Sequence, residues 1–253
     1  MPSYNARALV LHRTDLGEND RLLTLYTHDK GKLNAVARGA RRAVSRLSGA
    51  TELFVLAKLQ LAVGRNLDII MQCEMETSFA ALRTDLQKLA RATYFCELLD
   101  RFTGERDAVA SPELFDLTVA ALLLLERTNE YPDAVVHAYE LHLLSALGYA
   151  PVLDRCVACG GAISAQGTGF SPSLGGLVCT LDRSRVGDAM SISADSVRTL
   201  RQLEIGDPAD VLNLTPSAAT VSEIARALGR FVRARADRNL KSADFLDQIR
   251  GAG

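Results

Sequence analysis

The sequence has no tryptophan, few aromatic residues and almost no net charge. Only 6% of its 253 residues are aromatic, and 29 Lys and Arg residues face 30 Asp and Glu residues. The scarcity of aromatic rings argues against a surface built from many stacked rings. Because the opposite charges cancel, any nucleic-acid site has to be a local basic patch and not a property of the whole molecule.

Long apolar runs and an export signal are also missing. The longest strongly apolar run, residues 117–125, is far shorter than the ~20 residues that span a membrane. The N-terminal segment MPSYNARALV lacks the successive regions of a signal peptide. We therefore expect a soluble, cytoplasmic protein whose five cysteines stay reduced. Cys73 and Cys96 fall on apolar stripes and are predicted to be core residues.

Sequence motifs of common enzyme classes are absent. The chain contains no Gly-x4-Gly-Lys-Ser/Thr phosphate loop, no Gly-x-Ser-x-Gly elbow and no His-Glu-x-x-His zinc motif. No pair of carboxylates forms a recognisable acid and base couple. These absences favour a binding protein over an enzyme.

In the first 76 residues, alternating apolar and polar residues predict short strands. The candidates are 6–12, 21–27, 32–37, 53–63 and 67–73. In the last candidate, alternation places Leu67, Ile69, Met71 and Cys73 on one face and Asp68 and Gln72 on the other. Five short strands in so few residues predict a small barrel of the OB-fold type over residues 1–76.

From Ser78 onward the apolar spacing changes to three and four residues, which predicts helices. One helix of about 25 residues should follow Ser78. A second helix should begin at Pro112. Because it is apolar on every side over 117–125, it should be buried all round. A third helix should run from Pro132 to Gly148. Helical spacing resumes near residue 194, and Thr220 with Glu223 resembles a capping box. We predict a multidomain α+β protein: a barrel, then a mostly helical domain over 77–253, interrupted by a zinc-ribbon-like insertion over 154–185.

A basic stretch follows the third predicted strand. No acidic residue occurs between positions 30 and 51, and the candidate DNA-binding residues are the six cations Lys30, Lys32, Arg38, Arg41, Arg42 and Arg46. Arginine offers a rigid fork of donors that matches phosphate geometry. Such a loop on a barrel is predicted to follow the phosphates of a single strand. The alternative is a solvated basic loop without a partner.

Three cysteines cluster in the region that lacks periodicity. Cys156 and Cys159 have the Cys-x2-Cys spacing of a zinc knuckle, and nineteen residues separate this knuckle from Cys179. A zinc ribbon would have a fourth cysteine at position 182, where this chain has Asp182. Because carboxylate oxygen also binds zinc, a structural Zn²⁺ site formed by these four residues is predicted. The alternative is a former site whose cysteines serve only as small apolar residues.

The C-terminal helix carries a third group of candidates. Arg226, Arg230 and Arg233 share one of its faces. They could contact DNA or dock an acidic partner peptide. The alternative is the solvated side of an amphipathic helix.

Segments along nearly the whole chain resemble the RecO family. They are ALVLHRTDLGENDRLLTLYT (8–27) with GKLNAVARGARR (31–42), LGYAP (147–151) ahead of CVAC (156–159), FSPSLGGLVC (170–179), and KSADFL (241–246). These segments occur in the family's order, and together they are specific. This chain departs from zinc-binding relatives at Asp182, which puts the metal in question and not the family.

The resemblance implies an N-terminal OB-fold, a helical domain and a zinc-ribbon insertion. It also implies a bacterial, nucleoid-associated, non-enzymatic recombination mediator in DNA repair. Its implied partners are single-stranded DNA, also double-stranded DNA, the RecR ring, the acidic tail of single-strand binding protein and, indirectly, RecA. The implied activities are strand annealing and RecA loading, and the implied DNA contact falls on residues 38–46. From the residues alone, an RNA-directed accessory subunit or enzyme with an OB-fold stays open as the alternative.

Overall fold

The computed structural model describes residues 2–42, 44–45, 47–105, 111–128, 132–164, 167–206, 208–236 and 240–251. The chain forms two compact units. The first comprises residues 1–126 together with 245–253, and the second comprises residues 127–244. The first unit therefore contains helices as well as the barrel, whereas the sequence predicted a boundary after residue 76.

The N-terminal region is a closed barrel of five strands with the OB-type order β1-β2-β3-β5-β4. The strands are β1 (Ser3–Leu16), β2 (Asp20–Thr27), β3 (Gly31–Ala37), β4 (Leu56–Ala62) and β5 (Asp68–Thr77). Adjacent strands are antiparallel except β3 and β5, which run parallel and close the barrel. A short helix, α1 (Leu47–Ala50), lies between β3 and β4. The predicted barrel is confirmed.

Alternating side chains of these strands fill the barrel with small and branched residues such as Val10, Leu25 and Leu61. Strand β5 departs from simple alternation. Ile70 pairs with Leu61 and Gln72 pairs with Gln60, so that a β-bulge inserts Met71 as an extra residue. Ile70 is therefore buried and Met71 is 59% exposed. The prediction that Met71 shares a face with Cys73 is wrong, because Cys73 packs against the core and Met71 is exposed.

The helices that follow the barrel differ in two respects from the sequence predictions. Instead of one helix after Ser78, there are α2 (Ala80–Thr84) and α3 (Leu86–Phe102). The helix is interrupted because Asp85 adopts an extended backbone and its carboxylate accepts hydrogen bonds from the N–H groups of Gln87 and Lys88. The next helix, α4 (Pro112–Arg127), begins where predicted. However, Leu123 is 36% exposed, so this helix is not buried all round.

The second unit combines helices with a small sheet. Its elements are α5 (Pro132–Ala146), β6 (Gly169–Ser171), β7 (Gly176–Val178), α6 (Thr180–Arg183), β8 (Met190–Ser191), α7 (Ala194–Ile205), a 3-10 helix (Pro208–Asn213) and α8 (Ala218–Arg235). Strands β6, β7 and β8 form one sheet with β6 in the centre. The last helix, α9 (Lys241–Gly251), starts in this unit and ends in the first. No helix in the described part of the chain is long and apolar enough to cross a membrane.

The N-terminal cap of α8 lies one turn before the predicted Thr220. The side chain of Ser217 is the cap, and it accepts a hydrogen bond from the backbone N–H of Thr220. The carboxylate of Glu223 reaches a different helix. It accepts hydrogen bonds from the backbone N–H of Ser193 and the hydroxyl of Ser196 at the start of α7. The predicted capping box is therefore wrong, because both of its side chains have other partners.

Candidate nucleic-acid interface and metal site

The basic stretch forms a turn at the end of β3 that is fixed to the turn between β1 and β2. Gly39 has a φ of 67°, a left-handed conformation that favours glycine. Its N–H donates to the carboxylate of Asp20 at 2.8 Å, and the N–H of Arg41 donates to the carbonyl of Asn19 at 2.9 Å. These bonds hold the loop in place on the barrel.

Three of the predicted cations lie together on this loop. Arg38 and Arg42 are exposed, and no ion pair joins either side chain to another residue in the described part of the chain. Arg41 is engaged, since its guanidinium lies 3.3 Å from the carboxylate of Asp15 and donates to the carbonyl of Gly17. Arg46 is outside the described residues. The loop thus presents free guanidinium groups to solvent.

The two lysines of the predicted set lie elsewhere. The side chain of Lys32 is only 14% exposed, and its Nζ is 3.1 Å from the carboxylate of Asp100 on α3. Lys30 is exposed in the turn before β3, with Nζ 4.8 Å from the centre of the Tyr4 ring. Lys32 therefore holds the barrel to α3, and its charge is already neutralised.

The arginines of α8 also differ in their surroundings. Arg226 and Arg230 are exposed. Arg233 lies 3.3 Å from the carboxylate of Asp244, so its charge is balanced by α9. Arg235, which was not among the candidates, stacks on the ring of Phe231 at 4.8 Å.

The four predicted metal ligands come together. One ligand atom from each of Cys156, Cys159, Cys179 and Asp182 lies within 4.8 Å of the others. The sulfur atoms of Cys159 and Cys179 are 3.9 Å apart, and Oδ2 of Asp182 lies 3.2 Å from the sulfur of Cys179. Thiolates around a tetrahedral zinc ion are about 3.8 Å apart. At this spacing the four ligand atoms could bind a metal ion.

Local backbone geometry explains how these residues meet. The N–H of Gly160 donates to the carbonyl of Cys156 at 2.8 Å, which closes the turn of the first knuckle. Cys179 follows β7 as the N-terminal cap of α6, and this helix places Asp182 one turn further on. A side chain on Gly176 would meet the carbonyl of Val152 at 2.4 Å, so the close packing of the sheet on residues 152–157 requires glycine there.

The cluster is suited to a cation. Burial raises the pKa of the Cys156 thiol, but backbone N–H groups of Cys179 and two other residues lower the pKa below its usual value. A hydrogen bond to Asp182 raises the pKa of Cys159 to about 12. Hydrogen bonds from the three thiols lower the pKa of Asp182. A carboxyl group and a thiol whose pKa values are both lowered thus lie side by side.

Sequence reasoning missed Met71, which lies beside the basic loop in the same groove as Arg38. The β-bulge that exposes it depends on strand pairing between β4 and β5. No signal within residues 67–73 themselves predicts the bulge.

Comparison with known proteins covers almost the entire chain. A family model described as Recombination protein O N terminal matches residues 1–79, and one described as Recombination protein O C terminal matches residues 83–244. The DNA repair protein RecO of Symbiobacterium thermophilum is 39% identical over 254 residues, which is 100% of both chains. That of Roseiflexus sp. is 38% identical over 98% of this chain and 86% of the relative. That of a Nocardioides species is 35% identical over 97% of this chain and 99% of the relative. The chain therefore belongs to the RecO family of DNA repair proteins.

Proposed function

We propose that this chain is a recombination mediator that acts by binding alone, without catalysing a reaction. It binds single-stranded DNA, anneals complementary strands and, with RecR, helps RecA load onto DNA covered by single-strand binding protein. The observation that carries the proposal is the loop that follows β3. There, Arg38 and Arg42 are exposed without ion-pair partners among the described residues, on an OB-type barrel.

The proposed mechanism is electrostatic. Guanidinium groups on the loop neutralise the phosphates of one strand, and neutralised strands approach each other with less repulsion. Arg46 belongs to the proposed set by its place in the sequence, and Lys30 lies in the turn before β3. We assign Lys32 a minor role in phosphate binding because its charge is already paired with Asp100. Base identity should matter little, since phosphate contacts carry no sequence information.

We further propose contacts beyond the barrel. Arg226 and Arg230 on α8 are exposed and offer a secondary site for DNA or for an acidic peptide. Arg233 is a weaker candidate because Asp244 balances its charge. The acidic tail of single-strand binding protein is assigned to the helical part of the chain, and contact with RecA is indirect.

We also propose that Cys156, Cys159, Cys179 and Asp182 hold a structural Zn²⁺ ion. Their spacing fits tetrahedral coordination by three thiolates and one carboxylate oxygen. Four protein ligands leave no open position for a water molecule, so the ion would stabilise the fold around β6 and β7. The other oxygen of Asp182 lies 3.8 Å from the guanidinium of Arg185, a partner that would orient the carboxylate.

The central experiment measures binding to a fluorescent single-stranded DNA across a salt series. The wild type is compared with a variant that carries Arg38→Ala, Arg41→Ala, Arg42→Ala and Arg46→Ala. Each lost phosphate contact should reduce the slope of log K against log salt by about 0.7. We expect the variant to bind more weakly and with a shallower slope than the wild type.

A second variant with Arg226→Ala, Arg230→Ala and Arg233→Ala separates the two basic regions. If only this variant loses affinity, α8 is the DNA site and the loop is a solvated surface. Failure of the wild type to bind any strand would contradict the proposal. RNA of equal length serves as a competitor, and a preference for RNA would favour an RNA-directed accessory protein instead.

A further inference from the structure

A groove of about 710 Å³ lies on the barrel next to the basic loop, and the core residue Ile70 is among the residues that line it. Arg38 and Leu47 line the groove together with Gln60 from β4 and with Ile69 and Met71 from β5. Among the described residues that line it, none is acidic. The lining of the groove therefore combines mostly apolar side chains with a single cation.

The β-bulge in β5 shapes this groove. Met71 is the extra residue between the pairs that β5 forms with β4, and its side chain is turned outward where simple alternation would bury it. Bulges that redirect one side chain are over-represented next to functional sites. Here the bulge holds a flexible, polarisable thioether in the same groove as Arg38, whose guanidinium has no ion-pair partner among the described residues.

We propose that this groove receives the bases of a single strand whose phosphates lie on Arg38 and Arg42, and that Met71 packs against a base. The inference rests on the proposed binding of single-stranded DNA and names where the bases go. An unpaired base is apolar on its faces and follows a charged backbone, which matches a mostly apolar lining that includes a cation. The sulfur of methionine makes favourable contacts with aromatic rings.

The composition of the barrel surface supports this choice of occupant. Single-strand binding barrels generally stack bases on exposed aromatic side chains. In the described part of the barrel, the large apolar side chains that are exposed are Leu16, Val44, Val63, Met71 and Met75, and none of these is aromatic. Of these five, Met71 is the one that lines the groove with Arg38.

The test uses the full-length protein and two strands of equal length, one with bases and one abasic. Met71→Ala should weaken binding of the base-containing strand by about 2- to 10-fold. Its salt slope should equal that of the wild type, because no phosphate contact is lost. Arg38→Ala should instead reduce that slope by about 0.7. The wild type and Met71→Ala should bind the abasic strand equally.

Met75→Ala is the matched control, since Met75 lies on the same strand, is 50% exposed and does not line the groove. It should bind like the wild type. The proposal is overturned if Met71→Ala binds the base-containing strand as tightly as the wild type, if Met75→Ala is equally impaired, or if the wild type binds both strands alike. In those cases the basic loop keeps its proposed role. If the wild type binds no strand, the proposed function fails as well.

Discussion

At the scale of single residues, Asp182 should determine how tightly the proposed site binds zinc. A carboxylate oxygen replaces the fourth thiolate of a zinc ribbon, and this oxygen lies 3.2 Å from the sulfur of Cys179. Asp182→Ala should weaken zinc binding at least about 10-fold, since even an outer-shell partner contributes that much. Asp182→Cys should strengthen it, because zinc favours thiolate in structural sites. Competition with a coloured chelator measures both affinities.

The control for this prediction is Asp154→Ala, which removes an exposed carboxylate near the cluster but outside it. Zinc affinity of this variant should match that of the wild type. Equal affinity of Asp182→Ala and wild type would show that the carboxylate is not a ligand. A wild-type protein purified without metal and unable to take up zinc would leave the cysteines with a packing role only.

Residue types were predictable at the candidate sites, but whether each cation is paired with a carboxylate was not. The sequence places Lys32, Arg41 and Arg233 among the basic candidates. Lys32 pairs with Asp100, which lies 68 residues later in the chain. Arg41 pairs with Asp15, which lies 26 residues earlier, and Arg233 pairs with Asp244 on the next helix. Such pairs form only when strands and helices pack, so spacing along the chain cannot reveal them.

At the scale of elements, the strands of the barrel and the starts of α4 and α5 followed from alternation, proline and glycine. The errors occurred where a side chain competes with the backbone pattern. Asp85 caps α3 and breaks a helix that periodicity alone would continue. The bulge at Met71 changes which residues of β5 face the core. The helix cap and the β-bulge are both determined by hydrogen bonds, which the pattern of apolar and polar residues does not reveal.

A second prediction concerns Glu223, which joins helix α8 to the start of α7. Burial raises its pKa, but hydrogen bonds from Ser193 and Ser196 lower the pKa below its usual value. Since the folded pKa is the lower one, its stabilisation is complete above the unfolded value of about 4.3 and is lost as pH falls through the folded pKa. Glu223→Ala should lower the free energy of unfolding by about 1–3 kcal/mol at pH 7.

Urea unfolding at pH 7 and at successively lower pH measures this effect. The difference between Glu223→Ala and wild type should shrink as the pH falls below about 4. Asp210→Ala, which removes an exposed carboxylate of the 3-10 helix, should cost less than about 0.5 kcal/mol at every pH. A pH-independent loss in Glu223→Ala would mean that packing of its side chain, and not its charge, stabilises the two helices.

At the scale of the whole molecule, net charge separates two explanations of the proposed DNA binding. The formal net charge is −1, so the protein as a whole does not attract a polyanion. Attraction has to arise within about 10 Å of a local patch, the range over which charges act at moderate salt. The loop after β3 is that patch in our proposal, and Arg226 and Arg230 on α8 form the secondary one. The rest of the surface should be neutral or repulsive toward DNA.

Strand annealing tests this explanation with two variants of equal net charge. Arg38→Ala, Arg41→Ala and Arg42→Ala together change the charge from −1 to −4, as do Arg127→Ala, Arg155→Ala and Arg198→Ala at exposed positions in the second unit. The first variant should slow annealing of complementary strands strongly and make the remaining rate less sensitive to salt. The second should anneal like the wild type, because the ion pairs that it breaks are exposed and contribute little. If both variants lose annealing to the same extent, overall charge governs the reaction, and the loop has no special place in it.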